Sequence, residues 1–189
     1  MKRTTLLVVC ALALALVGSA MATTPPADTL KVDYFANANT AGAPDGTVQI
    51  TNPGTAGTGL CAAIFVFDVF QELTECCSCY VSPDGLRTLS VNTDLTSNPL
   101  TGVILNTGVV KMVSTRANSG TCPIPTSLTP TAALRSWSTH IQNSNFTVTE
   151  TASQDATFSS WEQTSLQNAC HAIHLAGSGK GICSCGTGD

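Results

Sequence analysis

Nine cysteines stand in a chain of 189 residues, and all but one follow residue 60. The exception, Cys10, lies in an N-terminal segment built for export. Lys2 and Arg3 precede an apolar run over residues 6–17, and Ala20-Met21-Ala22 supplies a small-x-small pattern. These are the parts of a secretory signal peptide. The run is too short for a spanning helix, which needs about 20 apolar residues. Lipid attachment at Cys10 is not expected, because Val9 is not small and the apolar run continues past the Cys. Cleavage after Ala22 would leave 167 residues, a formal charge of −6 and eight Cys. An even Cys count in an exported chain predicts a disulfide framework. The expected organisation is a signal peptide over 1–22, a flexible leader over 23–30 and one Cys-rich domain over 31–189. The expected location is extracellular or periplasmic.

Composition narrows the function classes. Charged residues make up 11% of the chain, and acids outnumber bases 12 to 8. A phosphate-binding surface needs a basic surplus, so nucleic acid is not an expected partner. No second long apolar stretch follows the first, so no membrane association is expected after cleavage.

Short β-type runs dominate the mature chain. Residues 31–35, 47–51, 86–91, 103–105, 109–115 and 146–151 read as strands, separated by Pro, Gly, Asn and Asp turns. Residues 60–70 are the most apolar. Leu60, Ala62, Ile64 and Val66 alternate with Ala63, Phe65 and Phe67, so both faces are apolar and a central strand covered on both sides is predicted. Residues 73–81 form a strand-like segment carrying the Cys cluster. Ser82-Pro83-Asp84-Gly85 is a turn. Residues 131–142 are ambiguous: Leu134, Trp137 and Ile141 have helical spacing, yet Thr and Ser suit a strand. Thr, with 28 copies, favours β structure through its branched Cβ.

One helix is expected over residues 160–175. Ser159 and Glu162 form a capping box, in which the hydroxyl takes the free amide at Glu162 and the carboxylate reaches back. Leu166, Ala169, Cys170 and Ile173 make one buried stripe, and Gly177-Ser178-Gly179 ends it. The predicted fold is mainly β: a disulfide-stapled β-sandwich with one C-terminal α-helix.

The expected disulfide cysteines are Cys61, Cys76, Cys77, Cys79, Cys122, Cys170, Cys183 and Cys185, and eight Cys allow 105 connectivities. Cys76 and Cys77 should face opposite sides of a strand and take different partners. Cys170 is within reach of Cys183 or Cys185, of Cys61 and of the 76–79 cluster. Competing uses are weaker. Cys76 and Cys79 make a C-x-x-C, but in a strand-like segment rather than at a helix N-terminus. Cys170, His171 and His174 form a candidate metal set that thiolates from 76–79 and 183–185 could complete for Cu(I) or Zn. Haem attachment lacks its first Cys, since Gln167 stands there. The glycines around Lys180 do not complete a phosphate loop.

Catalytic signatures are absent. There is no G-x-S-x-G elbow, and any Ser-His-Asp triad would have to use His140, His171 or His174. Asp68, Glu72 and Glu75 read as a solvated acidic turn. No catalytic residue and no cofactor is expected.

The run 60–68, the segment from Gln71 to Cys79, Pro83-Asp84-Gly85-Leu86, residues 94–102, and Gly177-Ser178-Gly179 with Cys183-Ser184-Cys185-Gly186 together resemble a group of secreted Cys-rich bacterial proteins of acidobacterial type. The resemblance covers most of the mature chain and implies a compartment, with no activity attached. The leading functional expectation is an exported, non-catalytic structural, surface or adhesion-type protein. Its expected partners are itself or other surface components. Self-association by β-strand addition through an arm over residues 23–35 is one route, because the Thr-rich strands lack edge-blunting Lys. An extracytoplasmic Cys/His metal-binding protein is the alternative, and a secreted hydrolase the third reading.

Overall fold

The computed structural model describes residues 28–188. The expected signal peptide and leader residues 23–27 lie outside them. Among these residues ten strands and one long helix build three layers. The first sheet has the order β4-β3-β6-β1-β9, with β1 Leu30–Phe35, β3 Leu60–Phe67, β4 Leu73–Val81, β6 Gly108–Arg116 and β9 Gln154–Ala156. The second has the order β10-β5-β2-β7-β8, with β2 Thr47–Thr51, β5 Leu86–Ser90, β7 Arg135–Gln142, β8 Thr147–Ala152 and β10 Thr187–Gly188. All pairings are antiparallel. Helix α1, Ser160–Leu175, covers the outer face of the first sheet.

Two apolar layers follow from the alternation of β3. Leu60, Ala62, Ile64 and Val66 face the second sheet, where they meet Val48, Ile50 and Leu89. Ala63 and Phe65 face the helix, where they meet Leu166, Cys170 and Ile173. The prediction of a strand buried on both sides therefore holds, and β3 is the shared floor of both cores. Burying a side chain the size of Phe65 contributes about 2–3 kcal/mol.

Helix α1 has the expected bounds. The Glu162 amide donates to the Ser159 hydroxyl at 3.1 Å. The other half of the expected capping box does not form: the Glu162 carboxylate turns away to accept from Lys111 at 2.6 Å, because a cation within reach outcompetes an exposed backbone amide. Gly177 then takes φ 63°, the left-handed exit that glycine permits.

Three further expectations change. Residues 103–105 are not a strand; Val103 and Ile104 are exposed. The apolar strand expected to reach residue 70 stops at Phe67, and the chain turns back at residues 68–72. The ambiguous segment is the strand β7, and its buried side chains are Ser136, Ser138, His140 and Ile141 rather than Trp137. The last residue assigned to the leader, Leu30, opens β1 and is buried.

Candidate functional site

All eight cysteine sulfurs of the described residues are joined in pairs: Cys61–Cys122, Cys76–Cys170, Cys77–Cys183 and Cys79–Cys185. Each bridge has one end on β3 or β4. The strand period of two explains the sorting. Cys76 faces the helix and ties down α1, whereas Cys77 and Cys79 face the second sheet and take the C-terminal tail. The C-x-x-C pair is thus divided between partners, and Cys170 takes the 76–79 cluster rather than the nearer Cys183 or Cys185. Backbone bonds hold the same tail: Cys76 N–H donates to Gly181 O at 2.8 Å, and Ser184 N–H donates to Asp94 O at 2.9 Å. Gly181 has φ 80°, and a Cβ there would lie 2.6 Å from Ile173, so only glycine fits.

Glu75 sits under this junction with no exposed surface. Its Oε1 accepts from Asn98 N–H at 3.0 Å, and its Oε2 is buried without a partner. Burial pushes the carboxyl up to about 7, against the smaller lowering by the Asn98 amide. Of the acids expected in a solvated turn, Glu72 is exposed and Glu75 is not. The segment at Asn98 and Leu100 and the tail at Gly181 cover the edge strand β4 at that point, through Leu100 N–H to Thr74 O and Cys76 N–H to Gly181 O, and no local pattern announces these distant partners.

The candidate metal residues divide. Ligand atoms of Cys76, Cys170 and His174 lie within 4.8 Å of one another, as do those of Cys77, Cys79 and Cys185. His171 is exposed and belongs to neither group. The structure therefore brings Cys170 and His174 together, one helical turn apart, and leaves His171 out. Every sulfur in both groups is engaged in a disulfide, so a thiolate site requires reduction first.

His140 is 2% exposed and lies beside a cavity with Asp33, Tyr34 and Thr151. Its Nε2 is 2.8 Å from the Thr151 hydroxyl and 3.4 Å from Asp33 Oδ1, and its ring stacks on Tyr34 at 4.3 Å. A nucleophile relay needs acid and hydroxyl on opposite ring nitrogens. Here both contact Nε2, and Nδ1 is buried without a partner. The arrangement cross-links β1, β7 and β8 and does not have the geometry of a triad.

The third constellation is one that sequence reasoning missed. The β3–β4 turn presents Phe70, 81% exposed, and Val69 beside it. Asp68 makes this tip rigid: its Oδ1 accepts from Phe70 N–H at 2.8 Å and Glu72 N–H at 2.9 Å, and Asp68 N–H donates to Glu72 O. Gln71 is held at φ 69°, a left-handed conformation that a non-glycine residue adopts at a cost. Between the tip and the first turn of α1 lies a cleft of about 260 Å³. Phe67, Val109 and Leu166 line it, and Trp161, 74% exposed, stands at its rim. The Lys111 ammonium lies 5.2 Å above the Phe67 ring while it pairs with Glu162. The available signal was the Asp opening a turn inside an apolar run.

No family model, curated protein or solved structure matches the chain.

Proposed function

We propose that this is an exported, non-catalytic surface or adhesion-type protein, a stapled β-sandwich that presents a rigid aromatic tip. One observation carries the reading. Phe70 and Trp161 are large and exposed, on backbone that Asp68 and the capped helix start hold fixed. Isolated surface hydrophobics are ordinary, but aromatic side chains on a fixed backbone have only two torsions to order on contact and serve as anchors. The disulfides, the signal-like N-terminus and the resemblance to secreted Cys-rich bacterial proteins support an extracytoplasmic site of action. No helix among the described residues is long and apolar enough to cross a membrane.

The test is the distribution of the protein between the cell envelope and the medium of its source cells. Phe70→Ala with Trp161→Ala is expected to move it from envelope to medium. An unchanged distribution in a folded double variant contradicts the reading.

Strand addition supports a structural form of the same role, through a different strand from the one first expected. Residues 30–35 of the arm are hydrogen-bonded within their own sheet, between β6 and β9 for half their length. Strand β8, by contrast, ends the second sheet with six exposed residues, Thr-Val-Thr-Glu-Thr-Ala, and no Lys or Pro to blunt it. The Cys/His metal-binding alternative draws on the two sulfur-centred groups; free-thiol counting with metal analysis of the native protein tests it.

A further inference from the structure

We propose that the cleft between the β3–β4 tip and the start of α1 binds a single pyranose ring of a neutral glycan, with Trp161 as the stacking platform. The inference rests on the adhesion reading and names the chemistry of its ligand. A pyranose has an apolar C–H face and a rim of hydroxyls that both donate and accept, so its site needs an exposed aromatic face beside mixed, unspent polar groups. The cleft has that inventory. The Gln71 side-chain amide and the Ser165 hydroxyl form no intramolecular hydrogen bond among the described residues, and both residues line the cleft. Asp68 spends Oδ1 on the backbone of the tip and keeps Oδ2 free, and Lys111 keeps donors beyond its bond to Glu162.

Charge and size select against other ligands. Two carboxylates against one ammonium disfavour a phosphate or an acidic polymer. The cation position over Phe67 is already filled by Lys111. A volume of about 260 Å³ is below the range of drug-sized pockets and suits one ring. The backbone of the tip needs no ordering on binding, since Asp68 has already fixed it.

The experiment is a fluorescence titration of the mature protein carrying Trp137→Phe, which leaves Trp161 as the sole indole. The probes are soluble β-glucan, chitin-derived and α-glucan oligosaccharides, with a polylysine peptide as a cationic control. At least one oligosaccharide is expected to give a saturable spectral shift. Trp161→Phe, followed by calorimetry, should weaken that binding at least about tenfold, and Gln71→Ala roughly threefold, with circular dichroism unchanged. No shift with any oligosaccharide, a shift with polylysine alone, or affinity unchanged in both variants overturns the proposal. If the envelope distribution depends on Phe70 and Trp161 while every oligosaccharide fails, the adhesion reading stands and the glycan falls. If neither holds, both fall.

Discussion

The two flanks of the sandwich are held by different chemistry. At the flank formed by β3 and β4, all four disulfides converge and lock the helix, the 117–130 loop and the C-terminal tail onto two neighbouring strands. At the opposite flank, where β1, β7, β8 and β9 meet, there is no disulfide among the described residues. Polar side chains tie neighbouring strands and the two sheets together there instead. Lys31 pairs with Asp155 and holds that carboxyl below its usual range. Asp33 accepts from the Ser153 hydroxyl at 2.8 Å and faces His140, and Arg135 reaches Asp28 at 3.3 Å. The difference teaches where each kind of bond is useful. A covalent clip acts chiefly on the unfolded chain and has no group that titrates, whereas a polar joint acts in the native state and depends on every partner being present.

The largest expected effect lies on the covalent flank. Replacing Cys77 and Cys183 by Ala should cost about 2–5 kcal/mol in denaturant unfolding, because that bridge closes a loop spanning 106 residues. Replacing Cys76 and Cys170 should cost a similar amount and should also free α1. Hydrogen exchange then separates the two, with protection lost in residues 160–175 only in the second pair.

Glu75 makes the covalent flank pH-sensitive in a way its disulfides are not. Its native carboxyl lies near 7 against an ordinary 4.5, so the folded state holds the proton longer than the unfolded state. Between those values the unfolded chain binds fewer protons, and stability falls as pH rises. The loss is fully developed above about 7 and amounts to on the order of 3 kcal/mol. The wild-type unfolding profile from pH 4 to 8 should therefore decline relative to that of Glu75→Gln. Parallel profiles would show that the carboxyl titrates normally.

The polar flank should respond next. Asp33→Ala strands His140, Ser153 and the Tyr34 amide, and an expected cost of about 1–3 kcal/mol is measurable by urea unfolding. A cost of that size confined to Asp33→Ala, with Trp137→Phe near neutral, would show that polar contacts rather than apolar packing join this side. The smallest effect is expected at the open edge. Thr149→Lys on β8 should change stability by no more than about 0.5 kcal/mol and should abolish any concentration-dependent sedimentation of the mature protein. Sedimentation unchanged by that substitution would remove β8 as a contact between copies.

The same contrast decides what was legible in the amino-acid order. On the covalent flank the patterns were strong. The double alternation of residues 60–67, the Ser159 cap and the opposite faces of Cys76 and Cys77 each follow from local geometry. On the polar flank they did not decide: residues 131–142 fit helix and strand alike, and the strand that forms buries Ser136, Ser138 and His140 while Trp137 stays 37% exposed. Burial of polar residues depends on partners distant in the chain, here Asp33 and Thr151, so a hydropathy period does not reveal it. Disulfide pairing was illegible for a related reason: Cys170 lies closer in sequence to Cys183 than to Cys76, and only the docking of α1 on β4 selects between them. The aromatic tip was hidden because Val69 and Phe70 extend the apolar run of β3; the turn at Asp68 is what brings them to the surface.

The convergence of four disulfides on β3 and β4 is tested most directly by the disulfide map of the native mature protein, obtained by non-reducing proteolysis and mass spectrometry with thiols counted beforehand. The expected result is no titratable thiol and the four links Cys61–Cys122, Cys76–Cys170, Cys77–Cys183 and Cys79–Cys185. Free thiols at these positions, or a link from Cys170 to Cys183 or Cys185, would contradict the stapled flank and the rigid platform that depends on it.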